Sequence, residues 1–300
     1  MSIKKVYGAA IVQATASNPN GDPDNDGAPR KDINDYGMIS PVAFKRRLRD
    51  SVARRSDAWQ GVADELGITT KEAEERFQIY VLKDRRAEDI KKEIVNIDQF
   101  QSKYWDARVF GNTILESYEK GGSRDNLRCG VVTVCTGKSL APVDLGAQTF
   151  TRVAGIQEGK GRAMGIECHK YVEHAIYVQP FCVNPERAKE TGVDQKDINV
   201  LLALVPHLFD GRSATSAGVE VLEVWTLEFN GRSTMPIQRF IGAISPRLKV
   251  ERPTQYGDYE FVVMERALAA LTGFAQGTLK EWVSSQEAGL EPNTPLKKAA

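Results

Sequence analysis

Residues 4–16 alternate as a strand buried on both sides would. Val6, Gly8, Ala10, Val12 and Ala14 face one way, and Tyr7, Ala9, Ile11 and Gln13 face the other. The pattern then breaks. N-P-N-G-D-P-D-N-D-G-A-P-R, from Asn18 to Arg30, holds three Asn, three Asp, three Pro and two Gly, a composition through which no helix or strand is expected to run. A polar loop this long is either a surface connection or a binding loop on a rigid scaffold. After it, Ser40 and Pro41 read as the N-cap and first position of a basic helix over 42–55. Phe44, Leu48 and Val52 form its apolar stripe, while Lys45, Arg46 and Arg49 cluster beside it. Asp50 alone offsets six basic residues between Lys45 and Arg55, so a polyanion is a sensible partner for that face.

From 56 to 118 the pattern is helical and strongly charged. Thr69 to Glu72 reads as a capping box before Ala73, Phe77 and Val81, and a second helix is expected over 84–106, with Ile90, Ile94, Ile97 and Tyr104 in the core. It ends in Y-W-D-A-R-V-F-G, where Gly111 suits a helix terminus, and 121–126 is a loop. Strand signals return at 129–136 and 171–183, a helix follows at 194–208 and another strand at 219–229. Strand, helix, strand, strand, helix, strand is the order of a ferredoxin-like split βαβ, an α+β class. Two insertions decorate it, the helical block 56–128 and the segment 137–170. The latter carries four glycines from Gly155 to Gly165 together with Lys160 and Arg162, and reads as a mobile protrusion with a basic tip. Irregular β structure is expected over 237–261, a terminal helix over 264–283 and a frayed tail over 289–300.

Composition narrows the function classes. Three hundred residues at 41% hydrophobic content can bury one large core or two modest ones. With 40 basic and 40 acidic residues the formal charge is zero, so any nucleic-acid role must rest on local patches. No apolar run approaches the roughly 20 residues that span a bilayer, and no signal-peptide core is evident, so a soluble, cytoplasmic chain is expected. The four cysteines, Cys129, Cys135, Cys168 and Cys182, lack metal-ligand spacing and are expected to be reduced and buried.

Candidate chemistry is sparse, and no cofactor or metal site is expected. Asp22, Asp24, Asp26 and Gly27 match the first half of a calcium loop, but Ile33 stands where the bidentate Glu belongs. Gly137, Lys138 and Ser139 lack the earlier glycine of a P-loop, which is Val132 here. Three histidines and no nucleophile elbow give a catalytic triad no support. An acid of the long loop could still assist RNA cleavage with a metal, so a metal-dependent endoribonuclease stays open. No paired-aromatic RNA signature lies on 131–136. Binding of RNA would run mainly through phosphate, by Lys45, Arg46, Arg49 and the glycine-rich protrusion.

N-P-N-G-D-P-D-N is followed by F-K-R-R-L-R (Phe44 to Arg49), D-A-R-V-F-G (Asp106 to Gly111), G-V-V-T-V-C-T-G-K-S-L-A-P-V (Gly130 to Val143) and L-F-D-G-R-S-A (Leu208 to Ala214). In these stretches the chain resembles the backbone subunit of type I CRISPR Cascade effectors, Cas family seven of the RAMP superfamily, in the branch typified by types I-B and I-C. The resemblance implies an RRM-like palm (1–55, 129–136 and 171–262), a helical fingers insertion (56–128), a β-hairpin thumb (137–170) and a C-terminal helix and tail (263–300). It implies a non-catalytic subunit of antiviral defence that polymerises as a helical filament along CRISPR RNA (crRNA). Each thumb would push one guide nucleotide out of line, leaving the rest to pair with target DNA. The implied partners are crRNA, target DNA through the guide, copies of the chain, and the family-five, large and small Cascade subunits, with no membrane.

Carried over by position, Asn18 and Asn20 would shape the loop near the RNA, and Lys45, Arg46 and Arg49 would hold its phosphates. Arg108 would do likewise or pair with a local Asp. Lys138 stands where the family often has Arg, which weakens a bidentate contact there. Lys160 and Arg162 would form the basic thumb tip, with Met164 or Ile156 as the base wedge. The type III relatives cut RNA with an acid in an equivalent region, which would make Asp22 or Asp24 the residue of the endoribonuclease alternative. A neutral charge fits a protomer that stacks on copies of itself and confines its basic residues to one groove.

Overall fold

The computed structural model describes residues 3–83, 85, 89, 97–112, 128–153, 164–211, 216–231, 235–272, 277–283 and 294–296. Its strands are β1 (Val6–Ser17), β2 (Tyr36–Ile39), β3 (Gly111–Asn112), β4 (Arg128–Cys129), β5 (Val132–Val134), β6 (Gly137–Pro142), β7 (Leu145–Val153), β8 (Met164–Val183), β9 (Val219–Phe229), β10 (Arg247–Leu248), β11 (Tyr259–Glu260), β12 (Gly277–Val283) and β13 (Thr294–Leu296). The α-helices are α1 (Pro41–Ala53), α2 (Asp57–Glu65), α3 (Thr70–Arg76), α4 (Ile97–Lys103), α5 (Trp105–Phe110), α6 (Ala188–Thr191), α7 (Gln195–Leu204), α8 (Ile237–Ile244) and α9 (Met264–Leu271).

β1 holds the centre because both of its faces are apolar. It pairs antiparallel with β8 on one side and β9 on the other, in a sheet ordered β13-β12-β9-β1-β8-β6-β2, with β5 and β7 also on β8. Val6, Ala10, Val12 and Ala14 share a core with α1, α2, α3, α5 and α7. Tyr7, Ala9 and Ile11 share a second core with α8 and α9 on the opposite face. The helical block after α1 is therefore not mere decoration, since Trp59, Val62, Phe77, Trp105 and Val109 lie in the main core.

α1 forms where the sequence signals it. Ser40 Oγ accepts from the Ala43 amide at 3.1 Å, Pro41 needs no donor at the first position, and Phe44, Leu48 and Val52 are buried against the sheet. Phe44 meets Phe181 of β8 at a centroid separation of 5.9 Å.

Several expectations need correction. A single 3₁₀ turn, Pro23–Asn25, does form in the long polar loop, capped by Asp22. The segment expected as irregular β opens instead with α8, whose Ile237, Phe240, Ile241 and Ile244 recur at helical spacing. The terminal helix stops at Leu271. Residues 277–283 are the strand β12, which pairs with β9 and places Leu279 in the second core. None of the four cysteines is buried: Cys129 and Cys168 are exposed, Cys135 and Cys182 intermediate, and all four are free thiols. Of the single helix expected over 84–106, residues 84, 86–88 and 90–96 fall outside the described residues, and the described end is two helices, α4 and α5, separated by an extended Tyr104 that is buried as anticipated. Among the described residues no helix is long and apolar enough to cross a membrane.

Candidate nucleic-acid interface

The long loop is an ordered arch rather than an open excursion. Asp22 N donates to Ala28 O at 2.7 Å, Gly27 N to Asp22 O at 2.8 Å and Arg30 N to Asn20 O at 3.0 Å. Two asparagine side chains fasten it. Asn18 Nδ2 donates to Gly27 O at 2.8 Å and to Lys170 O at 3.4 Å, tying the arch to β8. Asn20 Oδ1 accepts from Ser40 N at 2.8 Å, tying it to the start of α1. Asp26 adopts the left-handed region at φ 48°, which Asp tolerates, and Arg30 pairs with Asp22 at 3.2 Å.

Where the arch meets α1, a groove of about 410 Å³ opens, lined chiefly by Asn18, Asn20, Arg46, Arg47, Asp50 and Ser216. Two cations of α1 line it. Arg46 Nε donates to Asp50 Oδ1 at 2.8 Å and its side chain stays 42% exposed. Arg47 stacks on Phe209 at 4.0 Å and donates to Pro19 O at 3.3 Å, and burial lowers its pKa to about 10. Lys45 sits across the apolar stripe, half-buried against the Phe110 ring at 5.4 Å. Burial and then the nearby Arg49 charge push its pKa down. An anion brought to this surface would relieve that cost.

The expected arginines therefore divide by role. Arg108 is only 2% exposed, and all five of its N–H donors are engaged. Nε and Nη2 grip the fully buried Asp197 carboxylate at 3.1 and 2.7 Å, and the rest reach Gln101 O, Ser102 O and Arg76 O. It has no donor left for a phosphate, and its Asp partner is 89 residues distant rather than local. Arg49 is 12% exposed and pairs with the buried Asp106 at 2.8 Å, whose other bonds come from the Tyr80 and Val81 amides. Lys138 of β6 pairs with Asp32 at 2.8 Å and lies over the Tyr36 ring at 4.3 Å. That pairing holds the Asp32 carboxyl below its usual range.

β7 and β8 pair as a hairpin as far as Val153 opposite Met164. Met164 is thus the first residue of β8, whereas Ile156, Lys160 and Arg162 lie outside the described residues. The base of this hairpin touches the arch through Asn18 and through Lys170, whose Nζ lies 3.6 Å from Asp26. Arg47 is the groove residue that sequence reasoning passed over. Helical spacing puts it with Ala43 on one flank of the apolar stripe and Lys45 with Arg49 on the other, but spacing alone does not tell which flank the arch covers.

A family model for CRISPR-associated protein Cas7 matches residues 4–264. The chain belongs to the Cas7 family. Among solved structures, a chain of a "CRISPR RNA-guided surveillance complex, pre-nicking" superposes with a TM-score of 0.51 at 15% identity, covering 96% of this chain and 94% of that one. A chain of a "CRISPR RNA-guided surveillance complex" gives a TM-score of 0.49 at 14% identity over 95% and 91%. No curated protein matches significantly. The first of these likenesses is one of fold and spans nearly the whole chain, and the family match spans residues 4–264.

Proposed function

We propose that this Cas7-family chain is a non-catalytic backbone subunit of a type I CRISPR RNA-guided surveillance complex, gripping the guide strand along α1 and the arch. The observation that carries this reading is the junction of arch and helix. There Arg46 and Arg47 line a groove of about 410 Å³, beside the hairpin base at Lys170. Phosphate held by cations is read without regard to sequence, which suits a subunit that must accept any guide. Arg108, saturated internally, takes no part in the grip, and Arg49 acts mainly by holding Asp106.

The finer architecture follows the same reading. β9-β1-β8-β5 with α1 and α7 makes a ferredoxin-like, RRM-like palm, the helices between α1 and β5 make the fingers, and the β7–β8 hairpin makes the thumb. Met164 or Ile156 is the wedge that displaces one guide nucleotide, and Lys160 and Arg162 supply basic charge to the same segment. Copies of the chain stack along crRNA as a filament, join family-five, large and small subunits, and present the guide to target DNA. The I-B/I-C branch is the assignment that the quoted motifs favour.

The test is guide-RNA affinity across a salt series for the wild type, Lys45→Ala and Arg46→Ala. Each variant is expected to bind more weakly regardless of RNA sequence, with a log–log salt slope shallower by about 0.7 for each phosphate no longer neutralised. Unchanged affinity and slope in both would refute the assignment.

A further inference from the structure

Several cations around the groove are already matched with acids. Arg46 on the α1 side holds Asp50 at 2.8 Å, and Lys170 at the hairpin base has the Asp26 carboxylate 3.6 Å from its Nζ. Both acids border the groove, Asp50 in its lining and Asp26 next to the lining residue Gly27. Close by in the chain, Arg30 pairs with Asp22 at 3.2 Å, and Lys138 of β6 pairs with Asp32 at 2.8 Å. Three of these four carboxylates come from the stretch between Asn18 and β2.

Two of the three also build their own turns. Asp22 accepts from the Asp24 amide at 3.4 Å and caps the 3₁₀ turn. Asp32 accepts from the Asn34 and Tyr36 amides at 2.9 and 3.0 Å. Asp26 does neither: its side chain is 94% exposed, and among the described residues its carboxylate meets only Lys170. Its backbone is left-handed at φ 48°, a conformation that Asn adopts as readily as Asp. The turn therefore needs a short polar side chain at this position and has no use for the charge. An anion tethered beside a cation competes with any anion arriving from solution. A phosphate that reaches Lys170 must displace Asp26 or lie against its negative charge.

We propose that Asp26 is a tethered competitor of the guide's phosphates, an autoinhibitory contact that covers Lys170 in the empty chain. The inference rests on the RNA-binding reading above and adds a threshold to it. A single chain grips a stray polyanion weakly, whereas a strand long enough to seat several copies adds their contacts together and overcomes the competition.

The experiment measures binding of a short uridine homopolymer to the full chain, with EDTA present and across a salt series. Asp26→Asn keeps the shape and the left-handed backbone and removes only the charge. It is expected to bind roughly two- to fivefold more tightly than the wild type at low salt, the range that one exposed ion pair carries. The advantage should fade as salt screens the competing carboxylate. Asp24→Asn is the control, since Asp24 is an exposed acid of the same turn that holds no cation among the described residues. Its affinity is expected to stay near that of the wild type. An Asp26→Asn chain that binds no more tightly than the wild type overturns the proposal. An equal gain from Asp24→Asn overturns it too, because the effect is then one of bulk charge. In both cases the wild type still binds RNA and the functional reading stands. No binding by the wild type or by either variant at any salt overturns that reading and this inference together.

Discussion

Arg108→Met separates a structural arginine from a binding one. The substitution keeps most of the side-chain length and removes all five donors. Asp197, fully buried, is left with Arg76 at 3.1 Å and the Asp194 amide at 3.1 Å. Breaking a buried ion pair from one side costs about 3–5 kcal/mol. Three backbone carbonyls, of Gln101, Ser102 and Arg76, also lose their donor. These losses share one network and do not add, so the net expectation is about 4 kcal/mol. That is a large part of the roughly 5–15 kcal/mol that holds a domain folded. Arg46→Ala, by contrast, removes one exposed pair with Asp50 and should cost about 0–1 kcal/mol. Urea unfolding of both variants, with the slope checked for constancy, reads the difference. RNA affinity of Arg108→Met, measured where it remains folded, should match the wild type. An Arg108→Met variant within about 1 kcal/mol of wild type that nonetheless released RNA as Arg46→Ala does would refute the reasoning.

Two further outcomes follow from packing and charge. Burial, and then the Glu223 carboxylate of β9, hold the Glu281 carboxyl up at about 7 instead of 4.5. The folded chain then keeps a proton that the unfolded chain has released, so stability falls by about 1–3 kcal/mol as pH rises through that window and levels off above it. Glu281→Gln should flatten the fall in urea midpoints, and an unchanged fall would contradict the assignment. A Cβ at Gly130 would overlap the backbone of Phe110 and Gly111 where α5 meets β3. Gly130→Ala should therefore lower stability by about 1–3 kcal/mol in a thermal melt, and an unmoved midpoint would show that the junction can relax.

What the sequence revealed was set by how local each signal is. β1 was legible because both faces of one segment are apolar, and α1 because Ser40, Pro41 and the four-residue spacing of Phe44, Leu48 and Val52 all lie within the helix itself. The fate of Arg49 and Arg108 was not, because their partners Asp106 and Asp197 are 57 and 89 residues away and only the packed fold brings them in. β12 misread as helix for a related reason. Its strand character comes from pairing with β9, a tertiary demand that overrides a charged, helix-tolerant segment. In the candidate site, the turn chemistry around Asn18 and Asn20 marked the arch as special. The stack of Arg47 on Phe209 required knowing that α1 and the segment after α7 come together.

The central claim is that this chain assembles on a guide RNA. The most direct measurement is the ratio of nucleic-acid to protein absorbance across a size-exclusion profile, after expression with a CRISPR array, before and after ribonuclease. A large species carrying RNA of uniform length is the predicted result. An RNA-free species of monomer size, with ribonuclease without effect, would contradict the account.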